Sequence, residues 1–354
     1  MEIVVEQLAV RLAALGHHVT CYNRNGHHVG GAAFDGQAKE MYRGVRLKTV
    51  PTVDKKGLAA VSSSFFAGIA AAFSRADVVH IHAEGPALMC WLPRLLGKRV
   101  IVTVHGLDWQ REKWKHGFGA KYIHWGEKCA VKCAHEIIVL SKAVQDYFWE
   151  QYGRKTVFIP NGVTTPEVRS AEQITGELGL EKDGYILFLG RLVPEKGIHY
   201  LIEAFRKTKT DKRLVIAGSA SDTDTYVAQL KELAASDPRI RFTGFVQGQL
   251  LEELYSNAYL YVLPSDLEGM PLSLLEAMSY GNCCLVSDIP ECATVVEDRG
   301  IVFPKGDTDT LRESLQLLCD QPKTVARYKA TARDYICSKY NWDTVTEQTL
   351  ELYQ

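Results

Sequence analysis

The stretch "LFLGRLVPEKGIHYLIEAF" (residues 187–205) decides the fold, because a strand, a loop and a helix follow one another in it. Its first residues are apolar without interruption, which is typical of a strand whose sheet is covered by helices on both faces. After Gly197 the apolar residues recur with the spacing of an amphipathic helix. This unit predicts a parallel, doubly wound α/β sheet.

The same alternation of short apolar runs and amphipathic segments continues along the chain. Strands are predicted at "HVTCYN" (18–23), "DVVHIHAE" (77–84), "RVIVTVHG" (99–106), "HEIIVLS" (135–141), "KTVFIPNG" (155–162), "YILFLGR" (185–191), "RLVIAGS" (213–219), "IRFTGFV" (240–246), "LYVLPSD" (260–266), "CCLVSD" (283–288) and "GIVFPKG" (300–306). Helices are predicted at 2–15, 119–134, 142–152, 197–208, 248–257 and 271–281. The polar, strandless stretch 164–184 interrupts this rhythm. It therefore separates two Rossmann-like domains, which we expect to face a cleft at the carboxyl ends of their strands.

Composition limits the class of protein. A chain of 354 residues with 46% hydrophobic and 23% charged residues is typical of a globular protein of two domains. The net charge of −1 favours neither nucleic acid nor an acidic surface as partner. Nine cysteines without a CxxC pair indicate reduced thiols. No apolar run reaches the roughly 20 residues of a membrane span. We expect a cytoplasmic protein. Any membrane association would be peripheral, at the inner face of the membrane.

The start of the chain is unusual for this fold. A helix, "EIVVEQLAVRLAALG" (2–16), comes before any strand, whereas a doubly wound domain normally begins with a central strand. The loss of such a strand would cost about 10 kcal/mol of apolar burial. Our hypothesis is that Met1 is an internal methionine and that an N-terminal first strand and its loop are absent. Mass spectrometry of the native protein would test it.

Two cations lie in the loop of the opening stretch. Arg191 leaves the end of the strand, and Lys196 directly precedes the helix. Cations beside a helix N-terminus form an anion site, and a diphosphate would fit it. The alternative is a pair of solvated loop residues, with Lys196 paired to Glu195.

Two carboxylates lie eight positions apart in "SDLEGMPLSLLEAMSYG" (265–281), on either side of a predicted helix start. Glu268 follows a strand, and Glu276 lies about two turns away among apolar neighbours. Both could accept hydrogen bonds from sugar hydroxyls, although Glu268 could be a loop charge and Glu276 a surface residue. The backbone amides between them are predicted to bind an anion or sugar oxygens; they belong to Gly269, Met270, Pro271 and Leu272.

Taken together, these motifs resemble the family 4 retaining glycosyltransferases of GT-B architecture along nearly the full chain. The family's E-x7-E motif matches Glu268 to Glu276, its phosphate motif matches "GRLVPEKG" (190–197), and its linker entry matches "FIPNGV" (158–163). Many members have Phe-Gly where this chain has Met-Pro. The family's Gly-Gly loop would fall just before Met1, which puts the activity of this chain in question.

The resemblance implies a role for each motif. Arg191 and Lys196 would neutralise the donor diphosphate, Glu268 would contact the donor sugar, and Glu276 would bind the nucleotide ribose. His105, after the strand "RVIVTV" (99–104), would lie near the donor sugar, or alternatively cap the strand. The resemblance assigns residues 1–164 to the acceptor side and 165–338 to the nucleotide-sugar donor. It also predicts that residues 339–354 cross back to the first domain.

The predicted function is transfer of a hexose-type sugar from a nucleotide-diphosphate sugar to an acceptor hydroxyl, with retention and without a metal or other cofactor. A glycan or lipid-linked acceptor in cell-surface polysaccharide or glycolipid assembly follows from the resemblance. The alternatives are a GT-B sugar-nucleotide epimerase and a non-catalytic donor-binding partner of another transferase. A redox dinucleotide enzyme is disfavoured, because no G-x-G-x-x-G follows a strand.

Aromatic and basic residues alternate in "WQREKWKHGFGAKYIHWGEK" (109–128). Such a segment could rest on anionic lipid, through Lys113, Trp114 and Lys115 among others. The alternative, which we favour, is that Tyr122 and Trp125 are core residues of the following helix.

Two groups of potential metal ligands are rejected, since neither has the spacing of a structural zinc site. The first is His17, His18, His27 and His28, and the second is Cys129, Cys133 and His135.

Overall fold

The computed structural model describes residues 1–25, 40–53, 55, 58–110, 118–220 and 223–354. Contacts divide the chain into two compact units. The first unit contains Met1–Asn161 together with Trp342–Gln354, and the second contains Gly162–Asn341. These divisions lie a few residues from the predicted ones at 164 and 338.

The second unit is built on a parallel sheet, which has six strands within the described residues. The strands are β8 (Tyr185–Leu189), β9 (Arg213–Ala217), β10 (Ile240–Gly244), β11 (Leu260–Leu263), β12 (Cys284–Ser287) and β13 (Ile301–Phe303). Their order in the sheet is β10-β9-β8-β11-β12-β13. The chain thus moves outward from β8 in one direction and then outward from β11 in the other, which is the Rossmann order.

Burial explains why these strands occupy the centre. Successive side chains of a strand point to opposite faces, yet Tyr185 to Phe188 and Leu260 to Leu263 are all fully buried. Both faces of the sheet are therefore covered, as parallel sheets require. The helices of this unit are α6 (Gln173–Leu178), α7 (Ile198–Arg206), α8 (Asp224–Ala234), α9 (Gly248–Asn257), α10 (Leu272–Ser279), α11 (Pro290–Val296), α12 (Thr308–Asp320) and α13 (Pro322–Lys339). The short helix α6 lies inside the stretch 164–184, where the sequence predicts the domain boundary.

The described strands of the first unit form two sheets. One has the order β1-β3-β2, with β1 parallel and β2 antiparallel to β3, and the other is the parallel sheet β4-β5-β6-β7. The strands are β1 (Thr20–Arg24), β2 (Met41–Tyr42), β3 (Val45–Val50), β4 (Val78–His82), β5 (Arg99–Val104), β6 (Glu136–Val139) and β7 (Val157–Phe158). The helices are α1 (Glu2–Ala14), α2 (Leu58–Ala72), α3 (Trp91–Leu95), α4 (Phe118–Cys133), α5 (Lys142–Tyr152) and α14 (Trp342–Glu351).

In this unit the sequence did not predict β2, β3, α2 or α3. In the second unit it did not predict α6, α8, α11, α12 or α13. In β3 only the end residues Val45 and Val50 are buried, so the strand lacks the continuous apolar run that marks β5. Helix α2 carries no charged side chain, so it lacks the polar stripe that identifies an amphipathic helix.

The last residues of the chain are bound to the first unit by polar contacts. Arg11 of α1 donates to Asp343 at 2.8 Å, and the Arg99 guanidinium donates to the carbonyl of Leu352 at 2.5 Å. The hydroxyl of Tyr353 lies 2.7 Å from Nδ1 of His80. The C-terminal segment thus completes the unit that begins at Met1.

Gly197 offers a test of the packing in the second unit. It has φ +63°, and a Cβ built there would lie 2.0 Å from the carbonyl oxygen of Pro264. Gly244 has a similar φ of +74° but no atom within 4 Å of such a Cβ. We expect Gly197→Ala to lower the free energy of unfolding by roughly 2–4 kcal/mol, whereas Gly244→Ala should cost only about 1 kcal/mol of backbone strain. Urea unfolding of both variants measures the difference, and equal losses would contradict the close contact.

Candidate active site

The strand order of the second unit marks a natural binding position. Strands β8 and β11 are neighbours, and the chain leaves their carboxyl ends toward opposite sides of the sheet. Ligands of open α/β sheets bind in the crevice that such a reversal creates. Arg191 follows β8, and Glu268 lies in the loop after β11. Two residues predicted from the sequence therefore lie at this switch point.

Close backbone contacts shape the loop after β8. The N–H of Gly190 donates to the carbonyl of Ala217 at 3.0 Å, and a Cβ on Gly218 would lie 1.8 Å from the carbonyl oxygen of Gly190. The loops after β8 and β9 can approach this closely only because Gly218 has no side chain. Arg191 comes directly after Gly190 and is exposed.

An ion pair joins the two loops of the switch point. Lys196 Nζ lies 2.5 Å from Glu268 Oε1, and the two side chains are only 11% and 9% exposed. The hydroxyl of Ser265 donates to the same oxygen at 2.6 Å. Both of these hydrogen bonds fall on Oε1 of Glu268. The alternative pairing of Lys196 with Glu195 is wrong, because Lys196 pairs with Glu268 instead.

Backbone bonds support the same arrangement. The carbonyl of Glu195 accepts the N–H of Asp266 at 2.8 Å, and Ser287 donates its hydroxyl to the carbonyl of Ser265 at 2.5 Å. The first turns of α7 and α10 have no side-chain cap. Each helix therefore contributes N–H groups and the positive end of its dipole at this edge of the sheet. Such an edge attracts an anion.

Glu276 lies on α10 and is partly buried. The hydroxyl of Tyr255 donates to its Oε2 at 3.0 Å, and the Tyr255 ring stacks on Tyr280 with centroids 5.3 Å apart. Burial raises the pKa of Glu276 to about 7, although the bond from Tyr255 acts in the opposite direction. Glu276 is thus an inward-facing group that bonds a buried tyrosine, and the alternative of a surface residue is wrong. No sequence pattern pointed to Tyr255, which lies 21 positions away on α9.

The predicted amide set between the two glutamates needs correction. Pro271 carries no amide hydrogen, so it cannot be a donor, and both Pro271 and Gly269 are buried. The carbonyl of Pro271 instead accepts the N–H groups of Leu274 and Leu275 at 3.1 and 3.2 Å, which begins helix α10. Met270 and Leu272 are partly exposed.

In the first unit, His105 follows β5 and contacts a second histidine. Its Nε2 lies 3.1 Å from Nδ1 of His82, and the His82 ring stacks on His80 at 4.3 Å between centroids. Burial lowers the pKa of His82 to about 4, so His82 is neutral at pH 7. A neutral imidazole fixes the orientation of the His105 ring. The pattern "HIH" on β4 could have revealed His82, because alternate strand residues share a face.

The buried carboxyl group of Glu84 supports the loop after His105, and a second buried carboxyl group, that of Glu127, lies near it. Glu84 accepts the N–H of Asp108 at 2.9 Å, so the main chain of Asp108 anchors the loop. Glu127 accepts the hydroxyl of Tyr147 at 2.9 Å and also that of Tyr152. Burial and a bond to Glu127 raise the pKa of Glu84 well above its usual range. Glu127 also acts electrostatically on Glu84, so the two carboxyl groups lie near each other, which sequence patterns do not show.

The aromatic and basic segment 109–128 is only partly described, and Lys113, Trp114 and Lys115 lie outside the described residues. Trp109 packs against His124 with ring centroids 5.0 Å apart. Tyr122 is partly buried, but Trp125 is 50% exposed, so the prediction that Trp125 is a core residue is wrong. Within the described ranges, no helix has the length and apolar character needed to cross a bilayer.

The raised pKa of Glu276 predicts a dependence of stability on pH. Because the folded protein holds this proton up to a pH of about 7 and an unfolded glutamate only to about 4.3, stability should fall as pH rises between these values. Glu276→Gln removes the effect. Relative to the parent, it should gain up to about 3 kcal/mol between pH 4.5 and pH 8. Urea unfolding at both pH values measures this, with the exposed Glu203→Gln as control, and a constant difference would contradict it.

Comparison with known proteins agrees with this architecture. The family model "Glycosyltransferase Family 4" matches residues 1–167, and "Glycosyl transferases group 1" matches residues 170–335. Alpha-maltose-1-phosphate synthase of Mycobacterium tuberculosis is 28% identical over 314 residues, which are 81% of this chain and 81% of that protein. Phosphatidyl-myo-inositol mannosyltransferase of Mycobacterium leprae is 28% identical over 287 residues, which are 78% of this chain and 73% of that protein.

A solved structure shares the fold. The Anabaena protein Alr3699/HepE, in complex with UDP-glucose, has 16% sequence identity and a TM-score of 0.81, covering 99% of this chain and 94% of its own. Together with the two parallel-sheet units, this confirms the predicted GT-B fold. The family matches also favour a transferase over a sugar-nucleotide epimerase. The chain belongs to family 4 of the retaining glycosyltransferases, the enzymes that transfer sugars from nucleotide sugars.

Proposed function

We propose that the protein transfers a hexosyl group from a nucleoside diphosphate sugar to a hydroxyl of a glycan or lipid-linked acceptor, with retention of configuration. The observation that carries this proposal is the Lys196–Glu268 ion pair at the switch point of the second unit. This ion pair holds a cation that can bind phosphate next to a carboxylate that can bind sugar hydroxyls. The UDP-glucose held by the structurally similar Anabaena protein supports a donor of this class.

The diphosphate is assigned to the positive edge of the sheet. As the glycosidic bond breaks, the leaving diphosphate gains negative charge. Arg191, Lys196 and the first-turn N–H groups of α7 and α10 would stabilise that charge where it develops. Lys196 is already held by Glu268 at 2.5 Å, so it needs little reorganisation on binding. This set of groups needs no metal ion.

The two glutamates are assigned to the two sugars of the donor. Glu268 would accept a hydrogen bond from a donor-sugar hydroxyl on Oε2. Its negative charge would stabilise the positive charge that the sugar ring acquires. It would not act as a nucleophile. Glu276 would accept hydrogen bonds from the two hydroxyls of the ribose. The Tyr255 hydroxyl, 3.0 Å from Oε2 of Glu276, would orient the Glu276 carboxylate. The role of His105 near the donor sugar stays a prediction. So do any backbone contacts from Gly269, Met270 and Leu272.

The name of one relative supports the proposed acceptor class. The Mycobacterium leprae protein is by its name a phosphatidyl-myo-inositol mannosyltransferase, so a relative over 78% of this chain glycosylates a lipid-linked acceptor. We therefore place the protein in surface polysaccharide or glycolipid assembly. Peripheral contact of the segment 109–128 with a membrane at the cytoplasmic face belongs to the same proposal.

A panel of nucleotide sugars would test the donor. A donor present at 100 times its dissociation constant should raise the stability of the folded state by about 2.7 kcal/mol, which thermal unfolding detects. NMR of the product made with the selected donor should show a retained anomeric configuration. An inverted product would refute the mechanism, and donor binding without turnover would identify a non-catalytic partner of another transferase.

Site variants would test the residue roles. Glu268→Gln should abolish transfer while donor affinity stays within about tenfold, because the amide oxygen can still accept from Lys196 but carries no charge. Arg191→Ala should weaken donor binding and transfer by about tenfold or more, since one charge-assisted bond to phosphate is lost. Arg206→Ala, at the far end of α7, is the matched control and should change neither. Parent-like transfer by Glu268→Gln or by Arg191→Ala would defeat the assignment.

A further inference from the structure

Three cysteine sulfurs converge in the first unit. Among the described residues, the Sγ atoms of Cys90, Cys129 and Cys133 all lie within 4.8 Å of one another, and those of Cys90 and Cys129 are 3.6 Å apart. Cys129 and Cys133 are one turn apart on α4, whereas Cys90 ends the short 3-10 turn Pro86–Met89. The group rejected from the sequence contained His135 and lacked Cys90, and Nδ1 of His135 accepts the N–H of Val100 at 2.9 Å.

The backbone holds the three sulfurs together without help from a ligand. Helix α4 passes so close to residues 84 and 85 that a Cβ on Gly126 would lie 1.9 Å from the carbonyl oxygen of Glu84. The Cys129 thiol also donates to the carbonyl of Leu88 at 3.4 Å. The two segments that carry the sulfurs are therefore in fixed contact, and the cluster is built before any ion arrives.

We propose that Cys90, Cys129 and Cys133 bind one zinc ion through three thiolates, with a water molecule in the fourth position. Sulfur atoms that are each about 2.3 Å from one zinc lie about 3.8–4.0 Å apart. The observed separations of 3.6 Å and up to 4.8 Å bracket that value, so small side-chain rotations suffice. Thiolate sulfur is a ligand that selects zinc over magnesium or calcium.

Charge and access fit the same ligand. Binding releases three thiol protons to solvent, and the resulting site of three thiolates and Zn²⁺ carries a net charge of −1. The cations Lys132 and Arg94 act electrostatically on Cys129 and Cys133, and so offset that charge. Cys90 is fully buried, while Cys129 and Cys133 are partly exposed, so an ion and its water enter from their side. The bound ion would join α4 to the turn before α3.

Metal binding by the full chain tests this proposal. The reduced protein, freed of metal by a chelator, is titrated with Co²⁺, whose absorption reports sulfur coordination, and then with Zn²⁺ in competition. We expect one equivalent to bind with a sulfur-to-cobalt charge-transfer band and the intense visible bands of a tetrahedral site. Cys133→Ser should lower the affinity at least tenfold and weaken the charge-transfer band. Cys21→Ser, a partly buried cysteine of the same unit, is the matched control and should bind as the parent does.

Other outcomes would overturn the zinc site. They include no cobalt uptake by the reduced parent, or equal uptake by Cys133→Ser and Cys129→Ser when circular dichroism shows that both are folded. In a third such outcome, the reduced protein binds no metal, and the protein exposed to air loses mass because a Cys90–Cys129 disulfide forms. That result would assign the cluster to thiol oxidation.

Discussion

The site of the second unit depends on one ion pair held between two loops. Lys196 and Glu268 are shielded from water, and removing either partner would leave a buried charge, which costs far more than a lost surface ion pair. The pair therefore fixes the loop after β8 against the loop after β11. Because Ser265 donates to the same carboxylate oxygen, the direction in which Glu268 points is fixed as well.

The sequence predicted the architecture well, because that depends on patterns repeated many times. Each buried strand of the second unit shows a continuous apolar run, so the doubly wound sheet could be read from β8 alone and confirmed by its neighbours. Strand β3 and helix α2 escaped prediction, since one is mostly exposed and the other carries no polar stripe. Periodicity identifies an element by the difference in polarity between its two faces, and in these two elements that difference is small.

The site was predicted less completely, because partners far apart in sequence leave no local pattern. Glu268 and Glu276 stood out, but Tyr255, which bonds Glu276, lies on another helix. The same holds for Glu84 and Glu127, which the contact of α4 with residues 84 and 85 brings together. A carboxylate in an apolar segment signals that a partner must exist, since an unpaired buried charge is costly. It does not say which residue the partner is.

Glycines also determine the local geometry at both sites. Gly197, Gly218 and Gly126 each lie where a Cβ would meet a carbonyl oxygen at 2.0 Å or less, and each contact joins segments distant in sequence. Gly197 brings the turn carrying Lys196 against the end of β11, while Gly126 brings α4 against the residues that precede Cys90. Hydrogen bonds and metal–sulfur bonds form only over a few ångströms. The chemistry of both sites therefore rests on close backbone contacts that any larger residue would separate.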